Sequence, residues 1–355
     1  MKVLSVVGAR PQFVKLAPLA EVLTSAGDVE HVIVHTGQHY DAAMSDVFFE
    51  DLRIPAPDVN LGVGSGSHGA QTGAMLSALD AVLDEHRPDW TLVYGDTNST
   101  IAAALAAVKL HLPVAHVEAG LRSFNRRMPE EHNRVLADHA ADLLFAPTEV
   151  AMGHLAREGL ADRAILTGDV MADVCFRVRD AVRGRPVELP ESVDPARPYL
   201  VATIHRADNT DDETRLREIA SVLRGLSLPV VLLAHPRLVA RASTFGVDLT
   251  GGALHTTTPL AYPQMVRVVM GSAGVVTDSG GLQKEAFLLG VPCTTIRPET
   301  EWVETLDDGW NILDPDLTRV CEIAARRAPT EVRAQPFGDG HAAAKVLEAL
   351  RERSA

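Results

Sequence analysis

The feature that most constrains this chain is an alternation. Short apolar, β-rich runs stop at a glycine or a charged turn, and a helical pattern follows each. Strand-like runs fall at 2–7, 31–35, 90–94, 114–117, 143–146 and 164–166, with helical patterns such as 101–110 and 131–140 between them. After the proline-rich stretch 185–198 a second series begins, at 199–205, 230–234, 274–277, 293–297 and 310–313. Strands separated by helices pair in parallel, so the alternation predicts an α/β chain of two doubly wound, Rossmann-like domains, 1–170 and 171–338. Residues 341–352 read as an amphipathic helix with Ala343, Val346, Leu347 and Leu350 on one stripe, within a tail 339–355.

The turns carry the chemistry. In order they are Gly8-Ala9-Arg10-Pro11, Gly95-Asp96-Thr97, Glu118-Ala119-Gly120, His205-Arg206 and Asp278-Ser279-Gly280-Gly281, each just past a strand-like run. Parallel sheets bind ligands outside the carboxyl ends of their strands, so these turns predict a site for a phosphorylated substrate.

Composition narrows the class. The chain has 355 residues, is 46% hydrophobic and carries a formal net charge of -14, which argues against a nucleic-acid or anionic-membrane partner. Three widely spaced cysteines, Cys175, Cys293 and Cys321, give neither a disulfide framework nor a zinc site. With no apolar run long enough to span a bilayer and no leader pattern, a cytoplasmic location is expected.

At the first turn Pro11 suits the start of a helix, and Arg10 and Lys15 add positive charge beside free N–H groups, a place for a diphosphate. Asp278-Ser279-Gly280-Gly281 repeats the device: glycines admit a close oxygen-rich ligand, Ser279 caps the helix, and Glu285 is placed to accept from a ribose diol. Three carboxylates, Asp96, Glu118 and Glu130, fall near one crevice, where like charges push pKa values apart and permit acid–base work. Structural roles compete: Asp96 as an N-cap, Glu130 paired with Arg134, Glu118 paired with Arg122. His205 ends a strand beside Arg206 and reads as functional; His235 is evenly balanced between that and a structural role. No histidine, cysteine or carboxylate spacing marks a metal site. Gly64-Ser65-Gly66-Ser67-His68-Gly69 matches G-x-G-x-x-G, but it follows Pro55-Ala56-Pro57-Asp58 and not a strand, so it reads as a mobile loop continuing through Gly73 and not as a nicotinamide site.

With Lys15, Gly37-Gln38-His39, His116-Val117-Glu118-Ala119-Gly120-Leu121-Arg122, Pro129-Glu130-Glu131, Asn133-Arg134 and Gly338-Asp339-Gly340 in the same order, the chain resembles the non-hydrolysing UDP-N-acetylglucosamine 2-epimerases over nearly its whole length. The resemblance implies the two-domain GT-B fold with a central cleft, a tail helix crossing back to the first domain, a homodimer, and no cofactor. It implies catalytic roles for Lys15, Asp96, Glu118, Glu130 and His205, and UDP binding by Arg10, Arg206, Ser279, Gly280, Gly281 and Glu285. The implied reaction expels UDP from C1 as the C2 proton leaves, forming 2-acetamidoglucal, then re-adds UDP after protonation on the other face. Here Gln38-His39 is followed by Tyr40-Asp41, a departure from the Gln-His-Arg segment that several bacterial members have beside an activating second UDP-GlcNAc. The segments from Gly281 to Phe287 and from Glu299 to Glu304 resemble the branch acting on UDP-2,3-diacetamido-2,3-dideoxyglucuronate, whose C6 carboxylate Arg126 or Arg127 would meet. A GT-B glycosyltransferase, a hydrolysing epimerase and a nucleotide-sugar sensor are the competing functions.

Overall fold

The computed structural model describes residues 1–38, 54–330 and 334–354; His39, Tyr40 and Asp41 lie outside them. Among the described residues two parallel sheets form, one in each of two compact units, Met1–Val174 with Gln335–Ala355 and Cys175–Ala334.

In the first unit seven strands lie in the order β3-β2-β1-β4-β5-β6-β7. They are β1 (Lys2–Val7), β2 (Glu30–His35), β3 (Val59–Asn60), β4 (Trp90–Tyr94), β5 (Val114–Val117), β6 (Leu143–Ala146) and β7 (Ala164–Leu166). The central strands are largely apolar because helices cover both faces; Val3, Leu4, Val6 and Val7 of β1 are fully buried, and Ser5, Thr91 and His116 are the buried polar positions among β1, β4 and β5. In the second unit the order is β10-β9-β8-β11-β12-β13. These are β8 (Leu200–Thr203), β9 (Val230–Leu233), β10 (Leu254–Thr257), β11 (Gly274–Thr277), β12 (Cys293–Thr295) and β13 (Asn311–Leu313). Both sheets are doubly wound, and each reverses direction once, between β1 and β4 and between β8 and β11.

The edge strands β3 and β10 have no counterpart in the sequence pattern. β3 has two residues, and β10, reading Leu-His-Thr-Thr, buries only Leu254 fully, so neither presents an apolar run. The expected loop at 64–73 also differs, since the helix His68–His86 starts within it, with Ser67 at the N-cap position making no side-chain cap bond, and is held by buried Met75, Leu79 and Leu83. That spacing of three to four residues outweighs the helix-weakening Gly69 and Gly73.

The tail forms the helix Ala342–Ser354. Asp173 accepts hydrogen bonds from its first backbone N–H groups, Ala342 at 3.0 Å and Ala343 at 2.8 Å, and burial followed by neighbouring Asp169 raises the Asp173 carboxyl against those bonds. Val346, Leu347 and Leu350 are buried, and Trp90 of β4 donates its indole N–H to Leu350 O at 3.2 Å.

Candidate active site

In the first unit the β1 turn is closed by backbone approach. A Cβ on Gly8 would lie 1.9 Å from Thr36 Oγ1, so no larger residue fits there. Gln12, one turn into the helix Arg10–Ser25, accepts from the Gly8 and Ala9 N–H groups at 2.8 and 3.0 Å and donates to Tyr94 O at 3.0 Å, locking the β1 turn to the end of β4. Arg10 opens that helix; its side chain lies outside the described residues.

Lys15 of the same helix reaches the end of β5, where its Nζ lies 2.6 Å from Glu118 Oε1, with only 6% and 7% of the two residues exposed. Burial disfavours the charged ammonium, but Glu118 and Asp96 outweigh it and hold the Lys15 pKa above its ordinary value. Gly95, at φ +60°, leaves the space, since a Cβ there would stand 2.7 Å from Lys15 Nζ. Glu118 itself has φ +69°, a left-handed conformation that costs a non-glycine residue about 1–2 kcal/mol and is typical of functional positions.

Asp96 is partly exposed and pairs with Arg134, whose other terminal nitrogen contacts Glu131 at 3.1 Å. Asn133 donates to Asp96 O at 3.0 Å. Two of the structural pairings weighed from sequence therefore do not form: Arg134 takes Asp96 and Glu131 in place of Glu130, and Arg122 takes Asp138 and Glu158 in place of Glu118. The cap of the helix Asn98–Lys109 is Thr97, not Asp96. Glu131 is fixed by Ser123 N, Ser123 Oγ and Phe124 N, whereas Glu130, half-buried in the first turn of the helix Pro129–Ala140, has no ion pair among the described residues.

Beneath this cluster His116 of β5, fully buried, faces Asp138 Oδ1 with Nδ1 and Gly95 O with Nε2, both at 2.7 Å. Asp138 also accepts from Arg122 Nη1 at 2.7 Å and from Gly120 N at 3.1 Å. One buried carboxylate thus ties together the turns that bear Asp96 and Glu118. Nothing in local sequence marks it, because its partners are 16 to 22 positions away.

In the second unit Asp278 plays the corresponding part. It is fully buried and accepts from the backbone N–H of His205 at 3.1 Å and Arg206 at 3.0 Å, and from Asn209 Nδ2 at 3.0 Å; His205 Nδ1 lies 3.0 Å from it. Burial raises its pKa, and His205 with the other donors brings it below the ordinary carboxylate value. The turn bearing His205 and Arg206 is thereby fixed to the turn bearing Ser279, Gly280 and Gly281. Ser279 caps the helix Gly280–Leu289 by accepting from Leu282 N at 3.3 Å. Glu285 is buried in that helix beside Tyr262, whose hydroxyl pKa is raised by burial first and by Glu285 second. His235 is a helix cap, accepting from Arg237 N at 3.1 Å. Arg126 and Arg127 are exposed.

The described residues contain no group of three or more His, Cys, Asp or Glu placed to hold a metal ion, and no helix among them is long and apolar enough to cross a membrane. The first unit presents a lysine and carboxylates able to move protons. The second presents a glycine-rich helix start beside His205 and Arg206, suited to an anion.

The family model described as UDP-N-acetylglucosamine 2-epimerase matches residues 21–351. A UDP-N-acetylglucosamine 2-epimerase homolog of Methanococcus maripaludis is 43% identical, over 99% of both chains. A UDP-2,3-diacetamido-2,3-dideoxy-D-glucuronate 2-epimerase of Pseudomonas aeruginosa is 42% identical over 99% of both. Among solved structures, the UDP-GlcNAc 2-epimerase of Methanocaldococcus jannaschii in complex with UDP-GlcNAc and UDP superposes with a TM-score of 0.88 at 36% identity, over 99% of this chain and all of that one.

Proposed function

This chain belongs to the UDP-N-acetylglucosamine 2-epimerase family, and from that membership we propose that it interconverts UDP-N-acetylglucosamine and UDP-N-acetylmannosamine. The observation that carries the proposal is the buried Lys15–Glu118 pair with Asp96 beside it, at the strand ends where the first sheet reverses. The C2 hydrogen of the sugar is not next to a carbonyl, so its removal alone is too costly. In the proposed reaction the C2–H and C1–O bonds both break, a C1=C2 double bond forms, and UDP leaves. UDP returns to C1 after C2 is protonated on the opposite face. Asp96, Glu118 and Glu130 are the proton-handling groups, with Lys15 paired to Glu118. Arg10, Arg206 and the Ser279-Gly280-Gly281 helix start stabilise the departing diphosphate, and His205, oriented by Asp278, completes the set. Glu285 is proposed to receive the ribose hydroxyls.

A second reading, the same chemistry on a 2,3-diacetamido uronate donor, is favoured by the Pseudomonas relative. Proton NMR of the protein with each UDP-sugar in deuterated water, without acceptor, separates the readings. UDP-N-acetylmannosamine carrying deuterium at C2 is expected. Turnover of the uronate donor alone would reassign the substrate, and donor consumption only when an acceptor is present would replace both readings with a glycosyltransferase. A homodimer belongs to the proposal through the family resemblance; sedimentation at twice the chain mass is expected, and a monomer at micromolar concentration would remove it.

A further inference from the structure

Arg297 stands two residues beyond β12 and is only 3% exposed. One terminal nitrogen, Nη2, donates to Glu301 Oε2 at 2.9 Å. The other, Nη1, is buried with no hydrogen-bond partner among the described residues, a costly arrangement unless something fills it. That nitrogen lies 3.8 Å from the Cβ position built on Gly280, so it faces the start of the helix Gly280–Leu289. Glu301 Oε1 lies closer still, 2.5 Å from the same point. A carboxylate oxygen therefore occupies the place beside Gly280 that the absent side chain leaves open. Burial opposes ionisation of Glu301, but Arg297 first and Arg206 after it bring the carboxyl down to about 2. The carboxylate is thus anionic at every physiological pH and is held at a helix N-terminus by two arginines, the surroundings a phosphate oxygen requires.

We infer that Arg297 is a further diphosphate ligand, and that Glu301 is an internal anion that holds the place of a diphosphate oxygen beside Gly280 until UDP displaces it. The inference rests on the reading of the chain as a UDP-sugar enzyme. Displacement leaves Arg297 with two phosphate-directed donors in place of one carboxylate bond and one unused donor, and it removes a negative charge from beside the incoming one. UDP that leaves the sugar is then contested by Glu301, which limits how tightly the enzyme holds its own leaving group.

The test is calorimetric titration of the full chain with UDP, UMP and uridine, alongside thermal melting of each variant. Arg297→Met is expected to weaken UDP binding about 10-fold or more while leaving uridine binding within about twofold, and Arg297→Lys to recover part of the loss. Glu301→Gln, which keeps the shape and removes the charge, is expected to tighten UDP about threefold or more. Equal losses for uridine and UDP in Arg297→Met would show that Arg297 acts only through the fold. Weaker UDP binding in Glu301→Gln would overturn the displacement. A wild-type chain that does not bind UDP would instead overturn the functional reading itself.

Discussion

Glu118→Gln is expected to lower kcat for epimerisation by at least about 100-fold, the lower end of what a positioned acid or base contributes. It should also destabilise the first unit. Lys15 would remain buried with its nearest anion gone, and breaking a buried pair from one side costs about 3–5 kcal/mol. Lys15→Met should cost a similar amount by stranding Glu118, while the double substitution should be clearly less destabilising than the sum of the two. The folded-state pKa of Lys15 lies above its ordinary value, so the contribution of the pair is complete below that ordinary value and is lost only as pH rises through the folded pKa. The contribution of the pair in the wild type should therefore be flat across neutral pH. Strictly additive stabilities would refute the coupling, and a variant with kcat within threefold of wild type would remove Glu118 from the chemistry.

Asp138→Asn is expected to be the most damaging change away from the reacting groups. The carboxylate accepts from His116 on one oxygen and from Arg122 and Gly120 N on the other. An amide must turn its NH2 toward donors on one side or the other. A cost of about 3–5 kcal/mol follows from one uncompensated buried charge, which for a unit of this size is a melting point lower by roughly 6–20 °C. Activity should fall in the folded fraction too, because His116 and Gly120 hold the turns that carry Asp96 and Glu118. The native Asp138 pKa is depressed, burial opposing and His116 and Arg122 prevailing. Its stabilisation is present above pH 3.8 and disappears as pH falls through the depressed value, so acid unfolding of the variant should lack that component. Calorimetry between pH 2 and 7 distinguishes the cases; unchanged acid sensitivity would mean that Asp138 does not contribute as described.

The sequence by itself determined the architecture and the membership of the turns. Apolar runs buried on both faces name parallel strands whatever their order, and Asp96, Glu118, His205 and Ser279 follow such runs directly, so their place at strand ends could be read by counting. Arg297 closes the run at 293–297 but was not singled out, because nothing in the sequence tied it to Gly280 or Glu301. The edge strands β3 and β10 were not legible, because they carry no apolar run. Only the tertiary structure decided strand order, and with it which turns are neighbours: β1 lies beside β4, and β8 beside β11, and Lys2 N donates to the Asp89 carboxylate 87 positions away. It alone decided which charge meets which. Arg134 had Glu130 and Glu131 within reach along its helix, yet its second partner is Asp96, 38 positions away. Buried ion pairs of this kind are set by side-chain directions across packed elements, which no local periodicity encodes.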